Sequence, residues 1–214
     1  MIIAHHLMWT AYGWWLPNDP RGSTSHTIRC DLIAELGELH QGRKRVQPAS
    51  ADIKRFYEIA CGVLAHPLLE FSGKEAKVIG DALAQTVRRL RYTCYACAVL
   101  PDHVHVLIRK HRDRPEEMIR HFQESSMSLL REGGFRSANH PVWGGPGWKV
   151  FLDQPDEVRI TIGYIRKNPL RIGLPEQHWS FVKEYDNWPL HRGHNPKSPY
   201  ATHRHGEAFR WRKG

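Results

Sequence analysis

The stretch Leu100-Pro101-Asp102-His103-Val104-His105-Val106-Leu107-Ile108 limits the possible folds of this chain more than any other. Side chains on a β-strand alternate between faces, so His103 and His105 point one way while Val104, Val106 and Ile108 point the other. The valine face suits a core. The two imidazoles stand side by side on the opposite face, spaced either to share one metal ion or to serve as a structural pair. A second stretch, Gly163-Tyr164-Ile165-Arg166-Lys167-Asn168-Pro169, puts a tyrosine near the end of a predicted helix and an amide one turn beyond it. Asn168 is thereby placed to offer its side-chain oxygen to the same metal. Pro169 disfavours helical geometry at the residue before it, which predicts that the helix stops at Asn168.

A chain of 214 residues fits one domain with extensions, and its formal charge of +9 favours a polyanionic partner. Eight tryptophans and seven tyrosines make nucleic acid the natural candidate, because aromatic faces stack unpaired bases. No apolar run is long enough to span a bilayer. His5-His6 interrupts Ile2-Ile3-Ala4 at once, so the expectation is neither signal peptide nor anchor, and a cytoplasmic, nucleoid-associated protein. Cys30, Cys61, Cys94 and Cys97 do not suggest a disulfide scaffold. Cys94 and Cys97 invite a structural zinc and, with it, an RNA-binding module. Regular strand alternation, however, predicts opposite faces for the two thiols.

A first strand is expected over residues 2–11, leading into a Trp- and Pro-rich loop at 13–22 where Asp19 and Arg21 suit either functional or turn-forming roles. Ser50 is placed to cap a helix over about 52–65, and Ser72 one reaching residue 90. Strands follow at 93–100 and at the histidine stretch. A helix opens at Pro115-Glu116-Glu117 and runs to about 131, a fourth strand covers 148–152, and Pro155-Asp156-Glu157 opens the last helix. Strand-helix-strand-strand-helix-strand is the order of a ferredoxin-like α+β domain. From residue 188 the periodicity gives way to a basic tail, dividing the chain into 1–187 and 188–214.

These motifs resemble the single-tyrosine HUH transposases of insertion sequences, in particular the REP-associated tyrosine transposases. That family has a Pro-x-His-x-His strand, matched by Pro101, His103 and His105, and a Tyr-Ile-x-x-Asn-Pro helix, matched from Tyr164 to Pro169. An early Tyr-Gly-x-Trp-Leu-Pro-x-Asp-x-Arg-Gly segment is also typical, and Tyr12 to Gly22 is similar to it. The resemblance spans roughly residues 1–175. It implies the HUH endonuclease fold: a ferredoxin-like antiparallel sheet with helices on one face, plus N-terminal insertions.

The same resemblance implies a catalytic residue, Tyr164, that attacks a phosphate of single-stranded or hairpin DNA. The products would be a 5′-phosphotyrosine and a free 3′-hydroxyl, which can be rejoined. His103, His105 and Asn168 are the implied ligands of Mg²⁺ or Mn²⁺. Arg166, Lys167 and Arg171 are expected to hold phosphates beside the cut. Arg192, Arg204, Arg210 and Arg212, interleaved with aromatics in the tail, are expected to hold a palindromic hairpin. The expected activity is metal-dependent cleavage and rejoining of DNA by a monomer or homodimer. A domesticated hairpin-binding protein without cleavage, and an HUH replication or relaxase nuclease, are the alternatives.

Overall fold

The computed structural model describes residues 1–188 except Thr24, Arg29 and Arg43; the tail cations Arg192, Arg204, Arg210 and Arg212 lie outside the described residues. The elements run β1 (Ala4–Thr10), α1 (Asp31–Ala34), α2 (Ser50–Ala60), α3 (Gly73–Leu90), β2 (Cys94–Val99), β3 (His103–Arg109), α4 (Pro115–Glu132), β4 (Trp148–Leu152) and α5 (Pro155–Arg171). The strands form one antiparallel sheet in the order β2-β3-β1-β4. This is an α+β fold in which α3 and α4 are the crossovers of a ferredoxin-like repeat.

Alternation along β1 and β3 divides the core in two. Leu7, Trp9, Val104, Val106 and Ile108 pack against Ile79 and Leu83 of α3 and Met118, Ile119 and Phe122 of α4. On the other face, Ala4, Ala96, Ala98 and Leu107 meet Val158 and Ile165 of α5. The expectation of helices on one face therefore holds for the two crossover helices and fails for α5. The alanines explain why: with only methyl groups above the backbone, that face admits a helix close against β2 and β3.

The helix starts follow local chemistry. Ser72 accepts a hydrogen bond from the Glu75 amide at 3.3 Å while Glu75 accepts from the Ser72 amide at 2.9 Å, a capping box that opens α3. Pro115 and Pro155 stand in the first turns of α4 and α5, where a missing N–H costs no helical bond. Ser50 is not a cap: Ala49 holds that position, and α2 ends at Ala60, short of the expected 65.

Two further expectations change. A register shift between Cys94 and Ala96 breaks strict alternation in β2, so Cys94 and Cys97 enter the same apolar cluster instead of opposite faces. Burial pushes the Cys94 thiol up to about 12 and raises that of Cys97 as well, which leaves both as inert core residues. The last helix also continues through Pro169 to Arg171. Its ring removes one backbone donor within a turn of the helix end, a loss the last turn absorbs. Asn168 is therefore helical, and its side chain is turned inward and buried. Trp188, expected in the tail, instead closes the α5-side core.

Candidate active site

His103, His105 and Tyr164 come together on the face of the sheet that α5 covers, with Asn168 buried on α5 one turn beyond the tyrosine. The strand alternation explains the first two and the helical spacing the others. The rings of His103 and His105 are 4.8 Å apart, nearly perpendicular. Tyr164 stands edge-on to His105 at 5.6 Å between ring centroids and keeps 36 % of its surface open. Arg171 lies over the phenol ring, its guanidinium carbon 5.2 Å from the ring centre.

Each histidine is held through its Nδ1. The Asp102 carboxylate bonds His103 Nδ1 at 2.6 Å. Burial works against the charged form of Asp102, but the hydrogen bond and charge of His103 outweigh it, with Arg21 acting in the same sense. The Asp102 carboxyl is thus held below the usual range. His105 Nδ1 shares a 2.9 Å hydrogen bond with His6 Nε2. Burial depresses both of these imidazoles, His6 to about 4 and His105 well below its ordinary value, so both are neutral near pH 7. His6 also stands 6.1 Å from Tyr164.

These bonds leave the Nε2 atoms to face the site. Among the described residues, His105 Nε2 is buried without a hydrogen-bond partner. Buried polar atoms are almost always paired, so an imidazole nitrogen left bare beside an accessible phenol is a candidate ligand atom. An imidazole fixed through Nδ1 by a carboxylate or another ring is the arrangement in which Nε2 binds a metal. Among the described residues no three His, Cys, Asp or Glu side chains are grouped as a metal cage requires. The donor set His103, His105 and Asn168 therefore depends on the amide as its third member. With that condition, the residues fit a divalent cation.

His6 and Asp102 were not singled out in the sequence. No local pattern marks Asp102, and the facing of His6 follows only once β1 is known to pair with β3, with Met8 opposite His105. The Trp-rich loop has a different part. Asp19 is fully buried and takes Arg21 through two bonds of 3.0 and 2.7 Å, while Tyr57 of α2 donates to the same carboxylate. The Arg21 guanidinium also lies 3.9 Å over the Trp15 ring. This network ties the loop to α2 through Asp19 and Arg21. Arg166 is not beside the tyrosine: it lines a cleft with Glu184 and Tyr185 on another side of α5. Lys167 is exposed, one helical turn before Arg171.

No protein-family model and no curated protein matches the chain. Several solved structures are similar to it, two of them as follows. One is a REP-associated tyrosine transposase bound to a REP hairpin, 13 % identical, with 83 % of this chain and 74 % of that chain covered and a TM-score of 0.43. The other is a protein of Deinococcus radiodurans R1 assigned as a transposase, 12 % identical, with 77 % and 89 % covered and a TM-score of 0.36.

Proposed function

We propose that this protein cuts and rejoins single-stranded or hairpin DNA, with Tyr164 as nucleophile and His103, His105 and Asn168 as the holders of Mg²⁺ or Mn²⁺. The observation that carries the reading is the accessible phenol of Tyr164 5.6 Å from His105, whose Nε2 is buried without a partner. A divalent cation bound there supplies charge to a phosphate oxygen and favours in-line attack.

The protein's own groups do the rest. The Tyr164 oxygen forms a bond to phosphorus as the bond to the 3′ oxygen breaks. The phenolic proton leaves to solvent, to which the half-open ring has access, and the 3′ oxygen takes one up as hydroxyl. The phosphodiester becomes a phosphotyrosyl ester, so no external energy is needed for the reverse step that rejoins strands. Arg171, stacked on the phenol, sets the ring's position and puts a positive charge beside the phosphate. Asp102 and His6 hold the two imidazoles in orientation and act through them.

The test is a labelled single-stranded oligonucleotide incubated with the protein and Mn²⁺ or Mg²⁺, then denatured and run on a gel. A covalent adduct is expected with the wild type and none with Tyr164→Phe, which should still bind the strand. An adduct of wild-type yield from Tyr164→Phe would show that the nucleophile lies elsewhere.

A further inference from the structure

The sheet face that carries the histidines does not end under α5. Strand register aligns His105 of β3, Met8 of β1 and Trp148 of β4 in one row across the sheet. Directly opposite residues share a face, so the three side chains project on the same side. Exposure rises along the row: His105 is buried at 3 %, Met8 is intermediate, and Trp148 is open at 46 %. Val150, opposite His6 in the next row, is also open. Ile160, one helical turn before Tyr164 on α5, is 72 % exposed. An apolar shelf thus runs outward from the nucleophile to the β4 edge, ending in an indole two strand spacings, about 10 Å, from His105.

Resting on the function proposed above, we infer that Trp148 is a base-stacking platform for an unpaired nucleotide next to the scissile phosphate, with Met8 as the floor between. A tryptophan left half open is costly in water, and its continuity with the row that holds His105 ties it to whatever binds there. A strand with its phosphate at Tyr164 carries charge, which suits the chain's excess of cations, and flat apolar bases, which suit the shelf. Stacking uses the face common to all bases, so the platform gives affinity and placement without reading sequence.

The experiment uses the full chain in the Tyr164→Phe background, so that nothing is cut, with fluorescein-labelled oligo-dT and an abasic strand of equal length. Trp148→Ala should weaken binding of oligo-dT about tenfold, within the range for one lost stacked base, and Trp148→Phe should restore most of it. On the abasic strand the three proteins should bind alike. Equal oligo-dT affinity for Trp148→Ala, or an equal loss on the abasic strand, overturns the platform. So does a sedimentation result in which Trp148→Ala turns a dimer into a monomer while oligo-dT binding stays unchanged, since the shelf is then a contact between copies. The adduct assay on wild-type protein separates the two readings: an adduct without a Trp148 effect removes only the platform, whereas no binding of any single strand removes both.

Discussion

The two faces of this sheet are made from alternate residues of the same strands, yet they obey different rules. Under α3 and α4 every side chain of β1 and β3 in the main cluster is apolar and nearly fully buried. Under α5 the floor is alanine, the row above it is histidine, and buried His105 stands beside the half-open phenol of Tyr164. One face is a complete apolar core, and the other runs from buried imidazoles to an accessible phenol. The contrast implies that stability and activity are separately held, and substitutions on each face can break or sharpen that division.

The largest effect on folding should come from the complete face. Phe122 is fully buried between α4 and Trp9, and Phe122→Ala should cost about 3–5 kcal/mol in urea unfolding. His105→Ala, on the other face, should cost far less stability. It should instead reduce Mn²⁺ affinity by more than the roughly 10–100-fold expected when an outer partner is lost. If calorimetry shows unchanged Mn²⁺ affinity in both His103→Ala and His105→Ala, the second face is structural and the contrast collapses. His6→Ala removes the orienting bond to His105 together with the ring contacts to His105 and Tyr164, and should fall within that roughly 10–100-fold loss.

A smaller effect concerns the tail. A chain ending at Trp188 should keep the stability of the full protein, because Trp188 closes the α5-side core, whereas one ending before it should not. The six Lys and Arg residues beyond Trp188 should contribute about two to four units to the salt slope of hairpin binding if most of them reach phosphate. Binding measured at several salt concentrations for both lengths checks this, and an unchanged slope makes the tail a bystander. The smallest expected difference lies on α5 itself. Arg171→Ala should lower adduct formation about two- to fivefold through loss of the cation–π contact, while Arg166→Ala should leave it unchanged.

Much of this arrangement was legible in the sequence because it follows from local rules. Alternation puts His103 and His105 on one face, the Ser72-to-Glu75 spacing starts α3, and a four-residue step puts Asn168 below Tyr164. What escaped depends on partners distant in the chain. His6 acquires a role only through pairing of β1 with β3, 99 residues away. The shared burial of Cys94 and Cys97 needs a register shift that periodicity does not announce. Pro169 was read as a stop because the rule for the residue before proline is local, whereas Ile165 and Pro169 are buried against the sheet and keep the helix wound to Arg171. Arg166 and Arg171 look equivalent in sequence, and the turn of the helix separates them.

The hydrogen bond between His6 and His105 links the two rings as a switch with two settings. Two neutral imidazoles carry two ring protons on four nitrogens, and the shared bond must contain one of them. If His105 Nδ1 provides it, His105 Nε2 keeps its lone pair and His6 must carry its own proton on Nδ1. If His6 Nε2 provides it, His105 is protonated on Nε2 and cannot act as a ligand. The tautomers therefore change together or not at all, and a cation on His105 selects the first setting in both rings. Nitrogen-15 chemical shifts of His6, which is not among the proposed ligands, should report when the proposed site is loaded.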